Sequence, residues 1–400
     1  MTLSQSPLGD TKHAANPSAE RRDIRDFGQV VLVLQGGGAL GAYQIGVYEA
    51  MHESGIEPDW VIGTSIGAIN AALVAGNAPQ DRLPRLEEFW SRVAHGELLG
   101  LMSGIPGVGS IFANMATVAT GLPAFFKPNP FAFLSAHTPL GAEAAGYYST
   151  APLEATLADL VDIERLNSGA PRLTVGAAKV ATAEMRYFDS RDARITLKHV
   201  LASGALPPAF PAVRIDGDLY WDGGVLSNTP VEAVFDDMPR RDSLVFAVHI
   251  WRSHGPEPDT MWQVMSRQKD LQYSSRAVSH IARQKQIHRL RHVIAELAGQ
   301  LPKSARENSH VRELASYGCV TTMHVVRLVA PINDGEDHTK DIDFSRAGIR
   351  RRRQAGREDM LRVLDRKPWT APHDPLEGFV LHQPELEGMD GRTSIGKASK

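Results

Sequence analysis

The sequence has little cysteine, little excess charge of either sign and none of the spacings that mark metal sites. Cys319 is the only cysteine among 400 residues. This excludes an internal disulfide framework and any cysteine cluster for zinc or iron–sulfur, and it fits a reducing compartment. Lys and Arg total 43 against 46 Asp and Glu, a formal net charge of −3. That balance gives no bulk-charge reason to expect a nucleic-acid partner. The 15 histidines show no H-E-x-x-H or similar spacing, so a metal-dependent hydrolase is not expected. The first 26 residues are polar and lack the apolar core of a secretory signal, which reads as a flexible tail and a cytoplasmic chain. No internal repeat occurs. Leu98–Phe126 carries no charged residue, but Gly100, Gly104, Pro106, Gly107, Gly109, Asn114, Gly121 and Pro123 cut it into pieces too short to span a bilayer as one helix. An apolar flap over a pocket, a surface that meets lipid and a buried helix pair all remain open for it.

Hydrophobic residues make up 42% and charged residues 22% of the chain, as in globular proteins. The length suits two to three domains, or one α/β domain with an insertion. Order is expected from Gln29, where VVLVLQ (Val30 to Gln35) reads as a strand buried on both faces of a parallel sheet. A glycine turn and a helix ending near Gly55 follow. A second strand, WVIG, then leads through a second glycine turn into the helical stretch INAALVAGN. This rhythm predicts right-handed βαβ units. Further strands are expected at Arg172 to Val180, Ser243 to Trp251 and Met323 to Pro331. Ile287, Leu290, Ile294, Leu297 and Leu301 predict a helix that packs through one stripe. Its other face, with Arg283, Lys285, His288, Arg289, Arg291 and His292, would meet solvent or an anionic membrane. Ile349 to Lys367 predicts a basic surface helix, and the Pro/Gly-rich chain from Thr370 a loose tail.

Gly36-Gly37-Gly38-Ala39-Leu40-Gly41 satisfies G-x-G-x-x-G between strand and helix, the context of a dinucleotide-binding turn. That reading needs an acidic residue closing the second strand, whereas Asp59 precedes WVIG. What closes the strand is Gly63-Thr64-Ser65-Ile66-Gly67, a G-x-S-x-G nucleophile elbow leading into a helix. The sharp turn would push the Ser65 hydroxyl out at the carboxyl edge of the sheet, with Gly63 and Gly67 avoiding collisions. Acyl transfer creates an oxyanion that needs two or more fixed N–H donors. Alone, the first glycine run reads as a packing turn. Paired with the elbow, Gly36, Gly37 and Gly38 become candidate donors, joined by the N–H of Ile66. For the base there are two candidates. Asp222 precedes Gly223 and Gly224 in YWDGGVLSNTPV, with an Asp-Gly β-turn as its bland alternative. His249, at the end of SLVFAVHIW, would make a Ser–Asp–His triad.

Together these residues resemble the patatin-like phospholipases. GGGALG resembles the glycine-rich oxyanion block of that family, GTSIG its nucleophile motif and DGG its catalytic aspartate motif. ASGALP (Ala202 to Pro207) is similar to its A-S-x-x-x-P block, and Asn228-Thr229-Pro230 to the N-x-P that follows the aspartate. One departure is Leu40, where many members carry Arg or Lys. The resemblance implies an α/β chain, a three-layer α/β/α fold with a mainly parallel central sheet and a helical C-terminal insertion. It also implies a dyad of Ser65 and Asp222 without histidine, cofactor or calcium, acting on a lipid or other acyl ester. The organisation expected is a tail (1–26), a catalytic domain (27–250), an accessory region with a returning strand and basic helix (251–369) and a loose tail (370–400). Leu98–Phe126 is the candidate for acyl-chain contact, and peripheral membrane contact is a further expectation. An aspartate at its ordinary pKa of ~3.9 is a feeble base, so the dyad demands that the fold desolvate Asp222. Short hydroxyacyl esters, polyester oligomers or thioesters are alternative substrates, and a non-catalytic membrane-binding module is the alternative of another class.

Overall fold

A computed structural model describes residues 24–94, 117–133, 137–332, 336, 338–374 and 376–383. Residues 1–23 of the expected tail and 98–116 of the uncharged stretch lie outside that set. Order begins slightly before the expected boundary: Ile24–Phe27 form a 3-10 turn with Phe27 buried, and Arg25 pairs with Asp59 at 2.6 Å.

The strands are β1 (Gln29–Leu34), β2 (Trp60–Thr64), β3 (Arg172–Lys179), β4 (Glu184–Asp189), β5 (Val213–Ile215), β6 (Asp218–Asp222), β7 (Ser243–His249), β8 (Met323–Val329) and β9 (Phe379–His382). They form one sheet in the order β9-β8-β7-β1-β2-β3-β6-β5, with β4 on the other edge of β3. From β9 to β3 every pairing is parallel, while β4, β5 and β6 are joined antiparallel. The helices are α1 (Ala42–Glu53), α2 (Ile66–Ala75), α3 (Pro79–Val93), α4 (Ala151–Leu160), α5 (Leu197–Ser203), α6 (Met261–Gln300) and α7 (Arg346–Arg366).

The alternation of β1 makes the layers. Val30, Leu32 and Leu34 face a core shared with α1, α2, α3 and α7. Val31 and Val33 face the opposite side, closed by Ile281 of α6 and by Val234 and Phe235 of a short helix. Each such fully buried aliphatic side chain contributes about 1.5–3 kcal/mol relative to exposure. The result is the expected mainly parallel α/β architecture with helices on both faces.

The strand expected in the C-terminal region, β8, joins the same sheet, pairing with β7 from Met323↔Ser243 to Val329↔His249. Two other expectations for this region need correction. The stretch read as a loose tail supplies β9, paired parallel to β8. The packing face of α6 is also not the predicted stripe. Ile281, His288 and His292 are buried, whereas Leu290 and Leu297 are 63% and 60% exposed. Helical spacing reveals an amphipathic stripe but not which side the sheet will meet. Here the sheet side is met at Ile281 and His288, with the His288 ring against Phe235 and Phe379. The C-terminal end of α6 instead contacts the short helix Ser309–Ala315.

The basic helix α7 lies against α1 through two facing glycines. A Cβ on Gly46 would sit 1.8 Å from the Arg353 carbonyl oxygen, and one on Gly356 would sit 2.0 Å from that of Tyr43. Arg353 pairs with Glu49 at 2.7 Å and Arg357 with Glu53 at 2.7 Å, so two of its cations are matched within the molecule. Among the described residues no helix is long and apolar enough to cross a membrane.

Candidate active site

Ser65 and Asp222 are 157 positions apart in sequence, and one edge of β3 brings them together. β2 runs along that edge until Thr64 lies opposite Gly176. β6 then takes over the edge, with Asp222 opposite Ala177. The two strands meet end to end, so the residue after Thr64 faces the last residue of β6.

At this junction Ser65 adopts φ 56° and ψ −126°, a strained conformation for a residue with a side chain, of order 1–3 kcal/mol. The tight turn needs its flanking glycines. A Cβ on Gly63 would lie 2.3 Å from the Gly67 backbone, and one on Gly67 2.2 Å from the Leu34 carbonyl oxygen. Gly41 packs on Ile66, and Gly223 backs onto the Gly176 carbonyl. The ASGALP segment braces both partners. The Ser65 N–H donates to Ser203 O and Oγ at 3.1 and 3.0 Å, and Ser203 Oγ donates to Gly176 O at 2.6 Å. The Asp222 N–H donates to Ala205 O at 2.9 Å.

Asp222 is 1% exposed. Its carboxylate accepts the Gly224 N–H at 2.7 Å. Burial pushes its pKa up to about 7, against the lowering effect of the nearby Ser65 hydroxyl and of that amide. The desolvation demanded by a dyad is therefore met. His249 is placed elsewhere: it is fully buried, and neither ring nitrogen has a hydrogen-bond partner. Burial and the nearby Arg327 depress its pKa to about 3. Asp59, the acid that a dinucleotide would require, accepts from Arg25 and from the Val30 N–H at 2.8 Å, at the start of β2.

The glycine run beside Ser65 needs one correction. The Gly36 N–H is engaged by Asn228 O at 3.1 Å and is not available to a reacting oxygen. Among the described residues, the N–H groups of Gly37, Gly38 and Ile66 have no such partner. Gly38 holds φ +57°, and a Cβ there would meet Asp341 O at 2.3 Å. The Gly36 carbonyl accepts from Asn228 Nδ2 at 2.9 Å and from Trp251 Nε1 at 2.8 Å. In a trans peptide the next N–H points away from the carbonyl. Fixing that oxygen with two donors therefore aims the Gly37 N–H the other way.

A cavity of about 190 Å³ opens over these groups. Phe125, Phe126, Tyr148, Phe210 and Phe344 make an aromatic cluster along it, with ring centroids 4.9 Å apart for Phe126 and Tyr148 and 5.8 Å for Phe125 and Phe344. Thr117, Val118, Phe125 and Phe126 of the uncharged stretch thus border the cavity. Sequence reasoning missed Trp251, Tyr273, Asp341 and Phe344, all from the C-terminal third. Trp251 lies two residues past the end of β7, which runs parallel beside β1, and its Nε1 donates to the Gly36 carbonyl.

A family model described as Patatin-like phospholipase matches residues 32–235, just over half of the chain. The chain belongs to the patatin-like phospholipase family. A second model, described as Patatin phospholipase, matches residues 271–376, so the C-terminal third shares this kinship. Among curated proteins, the chain is 57% identical over 49 residues to Lysophospholipase nte1 of Aspergillus terreus, which is 12% of this chain and 3% of that protein. It is 40% identical over 96 residues to the Aspergillus oryzae counterpart, 23% of this chain and 6% of that protein. It is 41% identical over 63 residues to Patatin-like phospholipase domain-containing protein 6 of Homo sapiens, 16% and 5%. The chain thus matches only a small part of much longer relatives. VipD from Legionella pneumophila is 15% identical with a TM-score of 0.38, covering 90% of this chain and 72% of that one. At that level the likeness carries no further argument.

Proposed function

We propose that this patatin-like chain is a serine-dependent lipid acyl hydrolase that cleaves carboxylic esters through Ser65 and Asp222. The observation that carries the reading is that Ser65 and the buried Asp222 meet where β2 and β6 end and line one cavity, with burial pushing the carboxylate pKa up to about 7. Ser65 Oγ attacks the ester carbonyl while Asp222 takes its proton, and the amides of Gly37, Gly38 and Ile66 hold the resulting oxyanion. Collapse expels the alcohol, which leaves with the proton from Asp222. Asp222 then takes a proton from the water that attacks the acyl-enzyme and returns it to Ser65 Oγ as the acid leaves. A base with a pKa near the working pH suits both transfers better than an unperturbed carboxylate. The acyl chain lies along the aromatic cluster, so the preferred substrates are esters of apolar acids.

Labelling with a fluorophosphonate probe tests the reading. Labelling is expected for wild type and for His249→Ala, and is expected to be lost in Ser65→Ala and Asp222→Asn. Labelling that persists in Ser65→Ala would end it. Replacing Phe125 and Phe126 together with Ser is expected to reduce hydrolysis of long-chain p-nitrophenyl esters about tenfold more than that of acetate. Equal losses would remove the acyl chain from that cluster.

A further inference from the structure

A second cavity, of about 230 Å³, lies back to back with the first. Trp251 and Asp341 face the Ser65 side, while their chain neighbours Ile250, Arg252 and Lys340 face the other. The glycine turn does the same, with Gly36 to Gly38 on one side and Leu40 on the other. The shared wall is therefore the turn that presents the free amides, together with the two segments laid on it. Ala39 N–H donates to Asp341 O at 2.8 Å, and the Lys340 ammonium stands 5.3 Å from the Trp251 ring centroid.

The two spaces differ in charge. Around Ser65 the lining holds Asp222 and Asp341 and, among the described residues, no basic side chain. Among the described residues, the second lining holds Arg252, Arg267, Lys340 and Arg352 together with the carboxylates of Glu257, Asp270 and Glu336. Lys340 is paired with Asp270 at 2.8 Å, and Arg352 with Glu336 at 3.1 Å. Arg267 has only carbonyl partners, Arg252 O at 3.1 Å and Ser253 O at 2.6 Å. Arg252 has no hydrogen bond or ion pair among the described residues and feels Asp359 only at longer range. Both guanidiniums are half-buried. They share the lining with the apolar Ile250, Trp262, Pro331 and Ile332.

We propose that this second cavity binds an amphipathic monoanion, a medium-chain fatty carboxylate, with its carboxylate on Arg252 and Arg267 and its chain against Ile250 and Trp262. Among the described residues the Arg252 and Arg267 guanidiniums have no carboxylate partner, and the paired N–H groups of a guanidinium match a carboxylate. Because the wall is the glycine turn itself, an occupant bears directly on the segment that presents the free amides. The site rests on the cavity and its charges, not on the ester-cleaving reading, although acids released by such cleavage belong to the same class.

The test is titration of the full-length Ser65→Ala protein with octanoate, followed by calorimetry and by amide NMR. This variant keeps binding separate from turnover, so the outcome stands whether or not ester cleavage does. One-to-one binding is expected, with shifts at residues 37–40 and 250–252. Arg252→Gln and Arg267→Gln should each weaken it about tenfold, and Arg252→Lys should recover part of the loss. Octyl glucoside and inorganic phosphate, at the same concentrations, should not bind. Octanoate affinity unchanged in both Gln variants, equal binding of the glucoside, or binding of phosphate without octanoate would each overturn the proposal.

Discussion

On one side of β1, β2 and β6 end at Ser65 and Asp222. On the other side, β7, β8 and β9 carry His249, His324 and His382. Both regions bury ionisable side chains, and in both, burial pushes the group toward its neutral form. For Asp222 this means a pKa raised to about 7. For the histidines it means pKa values lowered to about 3 at His249 and about 4 at His324 and His382. The same physical cost thus makes an aspartate into a base that can gain and lose a proton near neutrality, and makes a histidine inert there. The surroundings complete the contrast. Asp222 accepts a backbone amide and has the Ser65 hydroxyl nearby, whereas neither ring nitrogen of His249 has a hydrogen-bond partner.

The largest effect expected from breaking this contrast is at Ser65. Ser65→Ala should lower kcat on a soluble p-nitrophenyl ester by about 10⁴-fold or more, and Asp222→Asn by at least about 10³-fold, with circular dichroism unchanged. Next comes the clamp on the Gly36 carbonyl. Trp251→Phe keeps a ring but removes one donor, and it should cost about tenfold in kcat with KM nearly constant. A rise in KM alone would make Trp251 part of the binding wall instead. The pH dependence sharpens the Asp222 side. With Asp222 as base, kcat should climb as pH rises through about 7. Because its folded pKa is raised, the stability linked to its neutral form is full below pH ~3.8 and is lost by about pH 7. Asp222→Asn should therefore be more stable than wild type at pH 8, by up to a few kcal/mol in urea denaturation, with the gain shrinking toward pH 4. The smallest effect is expected across β1. His249→Leu should leave kcat within about threefold, and a hundredfold loss in a folded variant would restore the triad.

Much of the first region was legible in the sequence because its chemistry depends on local geometry. A serine at positive φ between close-packed strands requires Gly63 and Gly67 at fixed offsets, and such requirements leave a written pattern. The donor role assigned to Gly36 failed because a backbone hydrogen bond to Asn228, 192 positions away, leaves no trace in composition. The same limit hid Trp251, Tyr273 and Asp341, which reach the site through sheet order and helix placement. The face of α6 was misread for a related reason: Leu290 and Leu297 repeat at helical spacing but lie away from the sheet. β9 was overlooked because four residues in a Pro/Gly-rich stretch carry too little pattern to announce a strand.

The position of β7 has a consequence for anyone dividing the gene. All seven of its residues are buried, from Ser243 to His249, between β1 and β8. A fragment ending at residue 250 would keep every recognisable motif and yet leave that apolar strand as a bare border with unpaired amides and carbonyls. Such a border recruits other chains. The short fragment is expected to aggregate more readily than the full chain, whose last stretch pairs that border.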